Sequence, residues 1–279
     1  MLRPLRETLR KLPVGDLYRY LREFVIYVNP SGKTPYGFKF VGTKRMVNGR
    51  FEPEVAALIV NEIKAGAKTF IDVGAHHGFF TMLASHYGAT TYSFEPDSLN
   101  YRVLRRNIKL NRIRTSNIQN IGLSNFEGRV SLFGFATGVS LTSDWSGSKS
   151  RRKFDIDVST IDRCFLGNNL EGNTVIKIDV EGHEWEVLDG ARNFLVSRND
   201  ITIICEITFR EKQLDNGNIS SKALETIQSL IFKGFEIFTI TTEGELVPLS
   251  MIRIDDLANE NRLGIAMNLV FKQKSAILK

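Results

Sequence analysis

The sequence predicts an α/β domain built on a mostly parallel sheet with helices on both faces. Two observations predict it. From Phe51 onward, short apolar runs alternate with longer segments whose apolar residues recur at helical spacing. One of those runs also ends in an aspartate followed by a glycine turn, at Asp72-Val73-Gly74, and the carboxyl end of a strand is where such sheets place ligands.

The elements follow in order. FEPEVAALIVNEIKAG, from Phe51, reads as a helix ending at Gly66, and KTFIDVG as a short buried strand. HGFFTMLASHYG is a helix ending at Gly88, TTYSFEP the next strand, and DSLNYRVLRRNIKLNR a helix with Asp97 as N-cap. NIQNIGLS, RVSLFGF, FDIDVST and TVIKIDV read as strands, EWEVLDGARNFL as one helix, and ITIICEI as a strand. Helix SKALETIQSLIFKG, strand FEIFTIT and a last strand IAMNLVF complete the pattern. TSDWSGSKSRRK, from Thr142 to Lys153, is a polar, serine-rich connection or a lid.

Composition narrows the class. At 279 residues and 42% hydrophobic, the chain is globular, with one large domain and an addition rather than two full domains. Two cysteines are too few for a disulfide framework, and no apolar run reaches the ~18 residues a membrane span needs. The first residues, MLRPLRETLRKLP, put charges where a signal peptide has an unbroken apolar core. A cytoplasmic protein is the expectation.

The charge is uneven. Residues 1–50 hold eleven Lys/Arg against three Asp/Glu, a balance of +8; the remainder, with 26 against 28, carries −2. The division expected is therefore a basic N-terminal extension over 1–50 and the main domain over 51–279. Leu2, Leu5, Leu9 and Leu12, interleaved with Arg3, Arg6, Arg10 and Lys11, give an amphipathic basic helix. It either packs on the protein's own core or makes peripheral contact with an acidic membrane surface. SGKT at 31–34 resembles the end of a phosphate-binding loop, but position 27, where that motif needs glycine, is Tyr27, so this is a turn.

The chemistry gathers at strand ends. Gly74 and Gly78 let the loop Asp72 to Gly78 turn tightly against a ligand. The spacing is G-x-x-x-G, not the G-x-G-x-x-G of a dinucleotide site. Asp72 would repel a pyrophosphate and suits a ligand with a cationic amine, which favours S-adenosylmethionine over NAD. Glu95, 23 residues on and at the next strand end, can accept hydrogen bonds from both hydroxyls of a ribose. In VIKIDVEGHEWEVLDGA, Asp179, Glu181, His183 and Glu184 crowd the exit of a strand that also holds Lys177, expected to be a structural partner of a carboxylate. His76 and His77 sit inside the first loop; as adjacent residues their side chains are expected to project in different directions, making them loop residues rather than metal ligands.

These blocks, FIDVGAHHGFFT, YSFEPDSLNYRVLRRNIKLN, NIGLSNFEGRV, VIKIDVEGHEWEVLDGA and IICEI, resemble in order the FkbM family of S-adenosylmethionine-dependent methyltransferases, from about Thr69 to Ile207. The resemblance implies a class I, Rossmann-like fold with a seven-stranded sheet and O-methylation of a hydroxyl on a sugar, glycolipid or natural product. It implies a cofactor site at Asp72, Gly74, Ala75, Gly78, Glu95, Pro96, Gly122, Ser124 and Asp179. Asp179, Glu181 and His183 fall nearest the transferable methyl, with Asp179 and His183 as candidate bases and Glu181 as an orienting group. Glu206 could join Asp179 on a divalent cation, although no metal site is expected. The acceptor expected is a small molecule or glycan, not nucleic acid. A methyltransferase acting on RNA or protein, and a non-catalytic partner-binding scaffold, are the alternatives.

Overall fold

Four apolar runs are nearly continuous because the strands they form are covered on both faces. A computed structural model of the chain describes residues 21, 25–26, 31–135, 138–140, 153–208, 221–250 and 266–273. The basic pattern over 2–12, the loop 142–152 and the acceptor-side segment after Thr208 up to residue 220 lie outside the described residues.

A hairpin of β1 (Gly32–Lys33) and β2 (Lys39–Phe40) comes first, so the middle of the SGKT segment is a strand rather than the turn expected, and the turn follows it at 35–38. Then follow α1 (Lys44–Val47), α2 (Pro53–Lys64), β3 (Ala67–Val73), α3 (Phe79–His86), β4 (Thr90–Phe94) and α4 (Ser98–Leu110). Asp97 caps α4 as expected, accepting from the Leu99 and Asn100 amides. Next are β5 (Ser116–Gln119), β6 (Gly122–Leu123), β7 (Gly128–Phe135), β8 (Gly138–Ser140), β9 (Lys153–Ser159) and α5 (Ile161–Phe165). The chain continues through β10 (Asn173–Ile178), α6 (Glu184–Asp189), α7 (Arg192–Val196), β11 (Ile201–Thr208), α8 (Ser221–Phe232), β12 (Phe235–Ile240), β13 (Leu246–Pro248) and β14 (Ala266–Gln273).

The main sheet has eight strands, not seven, in the order β13-β12-β14-β11-β10-β3-β4-β5. Five neighbours, β11 to β5 in that order, are parallel, and β14 is antiparallel to both β11 and β12. The eighth strand, β13, is a three-residue edge strand paired antiparallel with β12. Leaving it aside, this is the strand order of the class I methyltransferase fold. Alternate residues of β3 enter opposite cores. Ile71 and Val73 pack beneath α6, α7 and α8; Phe70 packs with α2, α3 and the aromatic residues of the hairpin, Phe38 and Phe40.

Two sequence readings need correction. Strands RVSLFGF and FDIDVST do not join the main sheet; with β6 and β8 they form a separate four-stranded sheet, order β6-β9-β7-β8. The physical reason is visible in β9, where Asp155 and Asp157 are exposed while Ile156 and Val158 are buried, the alternation of a sheet wet on one face. NIQNIGLS accordingly divides between the two sheets as β5 and β6. The single helix expected over 184–195 is two, broken at Gly190-Ala191, where Gly190 lies so close to Ser124 that a Cβ would fall 2.0 Å from its carbonyl oxygen.

The sheet order turns between β3 and β10. The chain runs outward through β4 and β5 on one side, then returns to β10 and builds the other. At such a switch point the loops leaving the strands diverge and open a crevice.

Candidate active site

Three strand ends meet in that crevice. At the end of β3, Gly74 and Ala75 both donate their amides to the Phe94 carbonyl at 3.0 Å, tying the first loop to β4. At the end of β10, the Asp179 amide donates to the Val73 carbonyl at 3.0 Å. Gly74 has φ +83°, and a Cβ there would fall 1.9 Å from the Asp179 carbonyl oxygen, so only glycine lets the two loops touch. Beyond them lies a cavity of about 420 Å³.

The cavity gathers most of the residues picked from sequence. Asp72, Gly74, Ala75, Glu95, Pro96, Gly122 and Asp179 line it, as do Glu181 and His183. Gly78 and Ser124 do not. Gly78 instead starts α3 in a left-handed conformation, pressed against Leu104, and Ser124 is fully buried behind the wall. Apolar walls come from Phe94, Leu123, Ile156 and Val158 on one side and Met46, Phe51, Phe79 and Phe80 on the other.

The floor is a buried charge cluster. Lys177 is 2% exposed and sits in register with Asp72 on the neighbouring strand. Its Nζ lies 2.9 Å from Asp179 Oδ2, 3.9 Å from Glu52 Oε2 and 5.0 Å from the centre of the Phe80 ring. Burial alone would lower the Lys177 pKa, yet Asp179 and Glu52 raise it, so the ammonium stays charged. Burial likewise opposes the charge on Asp179, but Lys177 and a hydrogen bond from Glu206 hold its carboxyl below the usual range. Glu206 takes the opposite course. Burial first, and then the Asp179 charge, push it up to about 9, so it carries the proton of the pair. Lys177 is thus the structural partner of a carboxylate that the sequence implied.

Two further carboxyls face the first loop. Asp72 accepts from Thr81 Oγ1 at 2.5 Å, and burial pushes its pKa up to about 6 against that hydrogen bond. Glu95 accepts the His76 amide at 2.7 Å and the Asp97 amide at 2.8 Å. Burial raises it to about 8, offset in part by the His76 amide and Asn100. Glu95 therefore shapes the loop as well as facing the cavity.

The histidines of the first loop differ from expectation. Their rings do not project apart; they stack, centroids 3.8 Å apart and planes within 24°. His76 has φ +51°, and this left-handed residue swings its ring back over its neighbour. No cluster of three or more His, Cys, Asp or Glu able to hold a metal ion occurs among the described residues.

The turn after β10 is locked from inside. Glu181 takes φ +55° and Gly182 φ +92°, while Glu184, 6% exposed, accepts the Gly182 amide at 2.9 Å. Burial lifts Glu184 to about 7 against that bond. His183 has a polar neighbour at each ring nitrogen. Nε2 lies 2.9 Å from Ser124 Oγ, and Nδ1 lies 3.3 Å from Glu186 Oε2. Glu186 pairs in turn with Lys222 at 2.6 Å. Burial lowers the His183 pKa despite Glu186, so the ring is neutral near pH 7. The Ser124 contact at Nε2 is a hydrogen bond, whereas Glu186 Oε2 stands beside Nδ1 without accepting one.

Sequence reasoning missed Glu52. It precedes α2 with φ +40°, lines the cavity beside Lys177, and receives a 3.4 Å hydrogen bond from Asn268 of β14. A lone glutamate before a helix carries no motif. Only the fold brings it to the floor.

The cavity sets protonated and ionised carboxyls side by side. Both Glu95 and Glu206 line it, together with Glu52, Asp72, Asp179 and the buried cation Lys177. Several solved structures are similar to the chain at low identity. A ribosomal protein L11 methylase from Lactobacillus delbrueckii subsp. bulgaricus is 15% identical, covering 79% of this chain and 77% of that one, with a TM-score of 0.41. A precorrin-6y C5,15-methyltransferase from Geobacter metallireducens GS-15 is 12% identical over 85% and 94%, TM-score 0.43. An O-methyltransferase from Bacillus cereus in complex with SAH is 10% identical over 81% and 83%, TM-score 0.44. No curated protein matches the chain. The family model described as methyltransferase FkbM domain matches residues 72–237, more than half the sequence and the whole span from the Asp72 loop past β11. The chain belongs to the FkbM family of methyltransferases, enzymes that take their methyl group from S-adenosylmethionine.

Proposed function

We propose that this methyltransferase acts on a hydroxyl oxygen of a sugar, glycolipid or other small natural product. The observation that carries the reading is the ionised Asp179 carboxylate, held by Lys177 at 2.9 Å on the wall of the cavity that also holds Gly74 and Glu95.

S-adenosylmethionine, when bound, supplies an electrophilic methyl carbon with its leaving group already in place. The chain has to supply position and a destination for one proton. Asp72 and the Gly74–Ala75 turn are proposed to hold the amino-acid end, and Glu95 the ribose. Gly122 and Leu123, backed by Ile156 and Val158, offer a flat apolar slot for the adenine. Alignment of acceptor and methyl contributes up to ~7–11 kcal/mol in ideal cases.

Asp179 is proposed as the proton acceptor. As the C–O bond forms, the methyl–sulfur bond would break with its electron pair left on the thioether sulfur, and the acceptor O–H would become strongly acidic and pass its proton to the Asp179 carboxylate. A weakly basic carboxylate is adequate because the proton leaves an oxygen that is already becoming an oxonium. Glu206, itself protonated and hydrogen-bonded to Asp179, keeps the pair at one negative charge before the reaction and none after it. Glu181 is proposed to orient the acceptor hydroxyl. His183, hydrogen-bonded to Ser124 through Nε2, is proposed to fix the β6 turn to the β10 turn and take no proton.

The test is to supply the enzyme with labelled S-adenosylmethionine and a panel of sugars and glycolipids, and locate the methyl in the product by NMR. A methyl ether is expected. Methyl on carbon or nitrogen, or incorporation into RNA or protein alone, would contradict the reading.

A further inference from the structure

A charge asymmetry remains outside the cavity. Residues 51–279 carry −2, yet Ser98 to Thr115 hold Arg102, Arg105, Arg106, Lys109, Arg112 and Arg114 with no acid. That stretch is +6, so the rest of 51–279 sums to −8. The inner face of α4, Asn100, Val103, Leu104 and Asn107, is buried. Arg102, Arg105 and Lys109, three and seven residues apart, share the outer face and are exposed. Arg112 and Arg114 continue the stripe past the C-cap Asn111. Among the described residues none of these five forms an ion pair; Arg105 only stacks on Tyr101.

The hairpin extends the stripe. Asn107 and Asn111, one helical turn apart, bracket β2 through its backbone: Asn107 bonds both polar groups of Val41, and Asn111 both of Lys39, all between 2.7 and 2.9 Å. Lys39 is thereby fixed beside the end of α4. Its cross-strand partner is Lys33, also exposed. Like charges directly opposite each other destabilise a hairpin, and no acid among the described residues relieves this pair.

Aliphatic side chains are exposed in the segment that Ile26 anchors to α4. Ile26 packs between Val41 and Val103, at the seam of β2 and α4. Leu21 and Val25, four residues apart in helical conformation, are 45% and 51% exposed. A cationic face together with exposed aliphatic groups matches a lipid interface, where the charges meet anionic headgroups and the aliphatic groups enter the acyl boundary. A single-stranded nucleic acid would be met by aromatic stacking surfaces instead. The sequence of residues 2–12 repeats the same combination of Leu with Arg and Lys.

We propose that the outer face of α4, the β1–β2 hairpin and the Leu21–Val25 edge dock on an anionic lipid bilayer. Asn100, on the same helix, lines the cavity, so docking would hold the active site near the headgroups. The inference does not depend on which atom is methylated.

The test is co-sedimentation of the full chain with phosphatidylcholine vesicles, with and without phosphatidylserine, at low and high salt. Wild type should bind only the anionic vesicles and release at high salt. Each cation near such a surface contributes about fivefold, so R102Q/R105Q/K109Q should bind on the order of a hundredfold more weakly. L21S/V25S should weaken binding while keeping its salt dependence. Circular dichroism checks that both variants are folded. Equal binding to neutral vesicles, no binding at low salt, or wild-type binding by the triple variant would overturn the proposal. So would displacement from vesicles by a small excess of transfer RNA, which would make the face a nucleic-acid surface.

Discussion

Lys177 Nζ and Asp179 Oδ2 lie 2.9 Å apart at the carboxyl end of β10, and the lysine is buried beneath the aspartate. Among the described ion pairs Lys177 is the one cation that is almost fully buried, and it also lies 3.9 Å from Glu52. Removing one partner of a buried pair leaves a charge uncompensated, at about 3–5 kcal/mol. Lys177→Met should lose stability of that order in urea unfolding. It should also raise the Asp179 pKa and slow methyl transfer. Unchanged stability would show that the carboxyls are solvated or neutral without the lysine.

The raised carboxyls make stability depend on pH in a definite direction. Glu206, Glu95, Glu184 and Asp72, at about 9, 8, 7 and 6, all stay protonated above the range where an unfolded carboxyl ionises. Between the unfolded and folded values the native state binds more protons, so stability falls as pH rises from about 4 toward 9. The melting temperature of the ligand-free protein should therefore decline across that range. Glu206→Gln should flatten the decline at its alkaline end. Differential scanning calorimetry at several pH values checks both.

Gly74→Ala should be far more harmful than a one-methyl change suggests. The left-handed backbone costs about 1–3 kcal/mol for a non-glycine residue. The added Cβ would also meet the Asp179 carbonyl at 1.9 Å, so the two loops must part. Loss of cofactor binding in a folded protein is expected. Gly66→Ala, equally left-handed but facing open space, should lose stability without losing binding.

His183 separates two roles by kinetics. A general base removed from the reaction costs roughly 10²–10⁴-fold in kcat. A residue that ties two turns together through Ser124 and Glu186 should instead weaken donor binding. His183→Asn should lower kcat by less than about tenfold, well short of that base effect, and leave the pH profile of kcat unshifted. Ser124→Ala should lose about 0.5–1.5 kcal/mol of stability, one hydrogen bond's worth.

Much of this site was legible in the sequence because strand ends can be read one element at a time. Asp72, Glu95 and Asp179 each close an apolar run, and a parallel sheet brings such ends together. Asp97 was legible as a cap for the same local reason. What escaped was long-range. Glu52 reaches the floor only through the packing of α2 on the sheet, and the Ser124–His183 contact joins residues 59 apart in sequence. The second sheet was hinted at by the alternating Asp155, Ile156, Asp157 and Val158, but an alternating strand does not name its partners. The stacking of His76 on His77 depends on one left-handed backbone angle, which no residue-type rule assigns to histidine.

The most direct measurement is calorimetric titration of the protein with S-adenosylmethionine and S-adenosylhomocysteine, beside Asp72→Ala and Glu95→Ala. Both ligands should bind the wild-type protein, and each substitution should weaken binding at least tenfold, about 1.4 kcal/mol, with the fold intact. Wild-type binding left unchanged by both substitutions, or no binding by a folded wild-type protein, would contradict the placement of the cofactor in this cavity.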